Sequence, residues 1–464
     1  MPAKTVGVLA VDGLPAPRRW LAAGAIWLAM AVTVLDSSIA YIALPTIARD
    51  FTASATISLW VIHGYQLAVV CSILTLAAIG EIAGYRRVYL VGLVIFTLAS
   101  YACAASGSMG ELISWRLLQG LGAAAIMSVN GAMVRFTFPA RHLGQAFGIN
   151  AMVIAISATA APAIAGVMLA LVSWRWLFGI NLVFGVLALI TGWRSLPENR
   201  GKLARLDTAS ALMTAGAIAG LFGAGAIGLE RGNGAVMSAG LATFVFLAAA
   251  VYQRACKQDR PLLPVDLMRL PVLRRAYLAS ICNFAAQTLL LVGMPFYLRN
   301  GFGYSPLTTG LTVATIPLGL ALAAPLAGRR ADRSPLSEPG RMGMPLAACG
   351  LLALAMAPGD RLVAVMLAGV VCGMGFGLFQ APNNRTMIAA APPARSGAAA
   401  GMLGLSRLCG QMTGVVIAGL LLRNLANTSI GFSLVAAGIA SLGSMLTLGW
   451  HAGRPDPFAN RSAY

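Results

Sequence analysis

The sequence predicts an all-α, polytopic membrane protein with fourteen transmembrane helices, and three observations predict it. Of its 464 residues, 58% are hydrophobic and 10% are charged, against about 25% charged residues in an ordinary soluble domain. Apolar runs of roughly twenty residues recur between short polar breaks, each long enough to cross about 30 Å of hydrocarbon as a helix. The basic residues fall in alternate breaks, so a net charge of +19 needs no nucleic acid to explain it.

Taken in order, the runs place spans at 20–41, 58–79, 87–105, 111–134, 143–171, 174–194, 208–229, 236–253, 276–297, 306–328, 342–357, 361–384, 397–422 and 430–450. With the N-terminus inside, the inner loops and tails hold most of the Lys and Arg. The outer loops keep Arg49, Arg175, Arg231, Arg299, Arg361 and Arg423, and only Arg116 and Arg407 lie within apolar segments. The positive-inside rule then sets both termini in the cytoplasm of a cytoplasmic (inner) membrane protein. Residues 1–19 read as a cytoplasmic tail, because the first span is too long for a signal-peptide core; residues 454–464 read as the second tail.

The two longest basic breaks, LPENRGKLARLD and RACKQDRPLLPVDLMRLPVLRR, divide the spans into six, two and six. The expected units are an N-terminal six-helix bundle (20–205), two inserted helices (206–256) and a C-terminal six-helix bundle (257–453). The inserted pair has no ionisable residue in its core and reads as lipid-facing or packing helices. Glycines at small-xxx-small spacing, Gly216 with Gly220 and Gly373 with Gly377, allow close helix approach.

Seven cysteines show no metal-like spacing and read as small packing residues. With three histidines and no acid cluster, the chain lacks the ligands or the nucleophile and base of a membrane-embedded enzyme. No metal or cofactor is expected, and the absence of a large soluble appendage argues against a receptor or scaffold.

Asp36, in AVTVLDSSIAYIALPTI, is the one acid among 14 that falls inside a span core. An Asp there costs about 2.5–3.5 kcal/mol or more, and such residues mark ion pathways by default. The bland alternative is a carboxylate that snorkels outward or stays neutral as a packing hydrogen-bonder. Counting in from the outer span ends puts Arg116 at similar depth at about 1.5 Å per residue, and pairing would lower the cost of both charges. His63 lies near the same level, and the ordinary histidine pKa of about 6.5 suits a proton relay. Gln66, Asn283, Gln287, Arg407 and Gln411 are the polar candidates for a substrate cavity, with interhelical hydrogen bonding as the competing role. Arg407, about ten residues inside its span, suits an anionic group or backbone carbonyls.

LDSSIAYIALPTIA resembles the first-span signature of the major facilitator superfamily, specifically its fourteen-span drug:proton antiporter branch, which includes quaternary-ammonium and multidrug efflux pumps. The resemblance covers nearly the whole chain. It implies two six-helix bundles with two additional central helices, and a proton- or cation-handling role for Asp36. WRLLQGLGAAA is similar to the fourth-span motif, giving Arg116 a coupling role. GEIAGYRRVYLVG resembles the inner gating-loop motif, with Glu81 in the acidic place, Gly84 in the turn and Arg86 and Arg87 as the basic pair.

GRRADR is a weaker echo in the second half, with Asp332 in the acidic place and Arg333 beside it; Pro335 stands where the family has glycine. SATAAPAIAG resembles the fifth-span antiporter motif, retaining Pro162 and Gly166 but with Ser157, Ala161 and Ala165 where glycines are usual. Trp174, Arg175, Trp176 and Asn181 resemble the signature that opens span six. Branch members that handle divalent cations carry extra acids in the second half, and this chain has none.

The expected function is proton-coupled secondary active export of drug-like or amphiphilic small molecules by alternating access, powered by the proton gradient. A monovalent, zwitterionic, neutral or weakly anionic substrate is expected to be favoured over a polyvalent cation. The alternative is a uniporter or importer of a specific metabolite, with Asp36 binding substrate. The expected partners are a small-molecule substrate, protons and the lipid bilayer, with a monomeric chain.

Overall fold

Long apolar runs with few helix breakers leave the backbone one way to satisfy its polar groups in hydrocarbon, the α-helix. The computed structural model describes residues 13–139, 143–198, 206–225, 227–228, 232–256, 265–333, 338–357, 361–390, 396–424 and 435–443, and among them there is no strand. The first six long helices are α1 (Ala16–Asp50), α2 (Trp60–Ala83), α3 (Tyr85–Ala105), α4 (Met109–Thr137), α5 (Leu143–Leu171) and α6 (Arg175–Ser195). Two shorter or more exposed ones follow, α7 (Thr208–Ile218) and α8 (Gly234–Ala255). The last five are α9 (Pro271–Phe296), α10 (Pro306–Arg333), α11 (Glu338–Met356), α12 (Leu362–Ala389) and α13 (Ser396–Asn424). Of the expected last span, 430–450, residues 435–443 are described and are helical. Among the described residues, eleven helices are long and apolar enough to cross a membrane, with shorter apolar helices at Thr208–Ala224 and Met342–Met356.

Each helix meets a characteristic set of neighbours. In the first half α1 packs on α5 and α6, α4 on α2 and α3, and α3 on α6. In the second, α9 packs on α13, and α12 lies between α10 and α11. α7 and α8 pack on each other, with α7 also against α2. Gly220, in the π-helical turn Ala219–Ala224 that continues α7, lets that chain approach the Gly240 carbonyl on α8. Most of α8 is exposed, and exposed Leu98, Val183, Phe246, Leu322 and Val363 continue the apolar outer surface around the molecule. A surface of this kind is suited to lipid rather than water.

The first span departs from its expected boundary. α1 runs to Asp50 rather than ending near residue 41, and Pro45 is buried inside it. A proline removes one backbone bond, which a helix tolerates where neighbours cover the freed carbonyl. Asp36 therefore sits much farther from the outer helix end than the sequence implied. The turn between α2 and α3 is set by Gly84, whose φ of 100° lies in the region that side chains disfavour.

The two halves meet where the last turns of α5 cross the first turns of α10. Gly166 and Gly310 bring the backbones together; a Cβ at Gly310 would lie 2.9 Å from the Gly166 Cα. At the outer end, Arg49 Nη2 on α1 donates to Asn300 Oδ1 at 3.3 Å, and Arg299 donates to Thr46.

Gly310→Val is expected to force α5 and α10 apart and lower stability by about 1–3 kcal/mol through overpacking. Gly110→Ala, where nothing lies within 4 Å, serves as the silent control. Thermal unfolding of the purified chain in detergent checks both; equal midpoints for the two variants would contradict the close crossing.

Candidate functional site

On α1, Thr33, Val34, Ser37, Ser38 and Tyr41 line one face of a cavity, and the 100° turn per residue carries Asp36 off that face toward α4 and α6. There Asp36 and Arg116 are each 1% exposed and form an ion pair, with Nη1 donating to Asp36 Oδ2 at 2.5 Å. The second carboxylate oxygen, Oδ1, accepts from Gln119 Nε2 at 2.9 Å and from Asn181 Nδ2 at 2.7 Å.

The donors are themselves held in place. Arg116 Nη1 also donates to Gln119 Oε1 at 2.6 Å, and Arg116 Nε donates to the Val61 carbonyl of α2 at 3.0 Å. Gln119 Nε2 reaches Ser100 Oγ of α3 at 2.7 Å. The guanidinium carbon lies 4.3 Å from the centroid of the Tyr65 ring and 5.4 Å from that of Phe178, so its faces rest on aromatic rings that favour a cation. Removing either charge alone would leave the other buried without its partner, a strongly destabilising change.

Beside this network lies a cavity of about 410 Å³, bounded by helices of both halves. Of the cavity candidates, Gln66, Gln287, Arg407 and Gln411 line it, as does Pro162. Gln66 Nε2 donates to the Tyr41 hydroxyl at 2.8 Å, and Gln380 Nε2 donates to Gln287 Oε1 at 3.3 Å. Asp36 and Arg116 are absent from the wall, but Tyr65 is part of it. The Tyr65 ring, stacked on the guanidinium, stands between the ion pair and the cavity.

Asn283 is not in the cavity. It is 0% exposed, and neither amide atom has a hydrogen-bond partner among the described residues. An amide in a helix carries no sign of which face it occupies, and the turn between Asn283 and Gln287 leaves only the latter on the wall. His63 does not join the Asp36 network either. It is buried, its ring is tilted against Trp60 at 5.5 Å, and its Nδ1 has no partner among the described residues. The hydrogen bonds of Asp36 run instead to Arg116, Gln119 and Asn181.

Between α2 and α3, Gly84 makes the turn, and Arg86 reaches across to another helix. Its Nη1 donates to Glu198 at 2.5 Å and its Nη2 to the Trp193 carbonyl at 2.6 Å, so it clasps the C-terminal end of α6. Such a carbonyl end is electronegative, which draws an arginine to it. Glu81 and Arg87 are exposed. Asp332 and Arg333 close α10, and their side chains lie outside the described residues. Gly166 serves the α5–α10 crossing.

Gln119, Tyr65, Tyr41, Gln380 and Asn384 were not singled out from the sequence. Gln119 had a usable signal, being three residues from Arg116 and so on the same helix face. Tyr65 had none, since an aromatic residue in an apolar span is ordinary.

A bundle of long apolar helices around a shared cavity, with a buried ion pair beside it, defines a polytopic membrane transporter rather than an enzyme. Residues 26–415 and, in a second match, 276–462 fit the Major Facilitator Superfamily, and the chain belongs to it. It is 41% identical to the uncharacterized transporter YebQ of Escherichia coli over 93% of this chain and 95% of that protein. It is 31% identical to the multidrug resistance protein Stp of Mycobacterium tuberculosis, over 83% of this chain and 72% of that one. It is 28% identical to the riboflavin transporter RibZ of Clostridioides difficile, over 82% and 83%. A crystal structure of a POT peptide transporter shares the fold, with a TM-score of 0.69 at 17% identity over 95% of this chain and 96% of that one.

Arg116→Gln is expected to cost about 3–5 kcal/mol, because it strands the carboxylate, whereas the double variant Asp36→Asn/Arg116→Gln loses less than the single one. Unfolding midpoints for the two singles and the double decide this; additive losses would mean that the two charges do not depend on each other.

Proposed function

We propose that this protein is a proton-coupled exporter of small amphiphilic molecules, of the fourteen-span drug:proton antiporter branch, with the Asp36–Arg116 pair as its proton-sensitive element. The observation that carries the reading is the full enclosure of Asp36 by Arg116, Gln119 and Asn181. A carboxylate buried so expensively in a spanning helix, when its charge is not needed to hold a ligand on the cavity wall, is suited to taking up and releasing a proton. Relatives named for multidrug, tetracenomycin C and puromycin resistance support export.

In the proposed cycle Asp36 is deprotonated and paired with Arg116 while the cavity accepts substrate from the cytoplasm. Protonation from outside removes the negative charge, frees the guanidinium and releases the Tyr65 ring that rests on it. The cavity wall changes shape, and substrate leaves outward. Coupling needs only that proton and substrate have different affinities for the two conformations. Residues 20–205 and 257–453 act as the two bundles that alternate around the cavity, with 206–256 inserted between them. Gln66 and Tyr41 act on the substrate from the first bundle, and Gln287, Gln411 and Arg407 from the second. Arg86, with its hold on α6, steadies the inner end. The energy source is the proton gradient, with no cofactor, and the working unit is a monomer in the cytoplasmic membrane with both termini inside.

A second reading, a uniporter or importer of one metabolite, has the riboflavin transporter RibZ among the relatives in its favour. The two part on proton movement. In sealed proteoliposomes Asp36→Asn is expected to abolish efflux driven by a pH gradient, by roughly a hundredfold or more in rate, while downhill exchange of substrate persists. Substrate movement in the wild type without any pH change, unaltered in Asp36→Asn, would favour the second reading. Tyr65→Phe is expected to retain coupling, since the ring over Arg116 is kept, whereas Tyr65→Ala lets protons cross without substrate. A pH-sensitive dye inside the vesicles measures that leak, and a tight Tyr65→Ala variant would remove the ring from the mechanism.

A further inference from the structure

Among the described residues Arg407 is the one cavity-lining side chain that carries a fixed charge, and no Asp or Glu lines the wall with it. Among the described residues it makes no ion pair, and its buried Nε has no hydrogen-bond partner. Arg116, by contrast, is neutralised by Asp36 and lies over the Tyr65 ring. The described wall of the cavity is thus mostly apolar, with neutral polar groups and one positive charge that no carboxylate offsets.

A guanidinium kept in such a place without a counter-ion is costly. Neither of the roles that would meet the cost within the chain is observed: Arg407 holds no backbone carbonyl and no carboxylate among the described residues. We propose that the cost is met by the transported molecule, and that the cavity selects amphiphiles bearing a carboxylate, which Arg407 grips through its planar fork. The inference rests on the central cavity being the substrate site.

The surroundings fit a carboxylate on an apolar body. Two parallel N–H groups of a guanidinium match the two oxygens of a carboxylate. Gln411, one helical turn from Arg407 on α13, and Gln287 across from it on α9 also line the cavity and offer amide donors for the remaining lone pairs. Phe284, Leu291 and Leu320 make an apolar floor for the rest of the molecule. A volume of about 410 Å³ suits a small drug-sized body. An organic cation meets the opposite: like charge from Arg407, and no carboxylate on the wall.

Calorimetric titration of the purified full chain in nanodiscs tests this with three probes of one shape: naphthoate, its primary amide naphthamide, and naphthylmethylammonium. The wild type is expected to bind naphthoate at least about tenfold more tightly than naphthamide, or about 1.4 kcal/mol, and the ammonium most weakly. Arg407→Gln is expected to bring naphthoate down to the level of naphthamide, and Arg407→Lys to keep part of the preference.

Failure of the wild type to bind naphthoate, or to prefer it over naphthamide, overturns the proposal. So does an Arg407→Gln variant that keeps the preference. Should Arg407→Gln not fold by circular dichroism, Arg407→Lys decides alone: a reduced preference for naphthoate with intact naphthamide binding supports the proposal, and joint loss of both rejects it. Proton-driven, Asp36-dependent efflux without a carboxylate preference would reject this inference and leave the exporter reading standing; a carboxylate preference without proton-driven transport would do the reverse.

Discussion

A negative charge at the middle of a helix that crosses hydrocarbon is stable only if its surroundings supply what water would have supplied. Around Asp36 that supply comes from three separate side chains, the guanidinium of Arg116 and the amides of Gln119 and Asn181. Those groups in turn hang on the Val61 carbonyl and the Ser100 hydroxyl. Five helices of the first half, α1, α2, α3, α4 and α6, thereby converge on a single carboxylate. Their mutual placement is not interchangeable with a purely apolar arrangement, because sliding any one of them leaves a buried donor or acceptor without its mate.

That dependence also explains what could be read in the sequence. Asp36 and Arg116 stood out because charges in apolar runs are rare and need a reason, and two such charges of opposite sign invite pairing. The helical class and most span boundaries follow from hydropathy for the same reason. The end of α1 did not, because Pro45, Arg49 and Asp50 together look like a loop, while the structure buries the proline inside a helix that runs on. Amides were harder still. Gln119, Asn181, Gln287 and Asn283 are equally plausible as cavity, network or packing residues, and the choice depends on a helix rotation that periodicity in an evenly apolar span does not define. Tyr65 was invisible because its part depends on what lies behind it.

The separation of the ion pair from the cavity changes the chemical character of both. The pair, with its charges matched and its hydrogen bonds filled, presents no net charge to the space where a ligand sits. Among its described lining residues the cavity takes its sign from Arg407, and its polarity includes glutamines and Asn384 on helices of both halves. The ion pair and the cavity thus lie side by side, with the Tyr65 ring in contact with one and lining the other.

One further consequence follows from the length of α1. The helix is fastened at both ends to different bodies: Arg18 holds the Ser195 carbonyl of its own half, and Arg49 holds Asn300 of the other. It is a lever with the inner fastening as fulcrum. At about 1.5 Å per residue, Asp36 lies roughly 0.6 of the way along the arm from Arg18 to Arg49. Any parting of the outer ends swings the carboxylate through a little over half the distance travelled at the rim, and a hydrogen bond near 2.5–2.9 Å does not survive a swing of more than about 1 Å. The Arg49–Asn300 contact and the Asp36 network are therefore carried by one continuous helix, linked by a rod rather than by a relay of side chains.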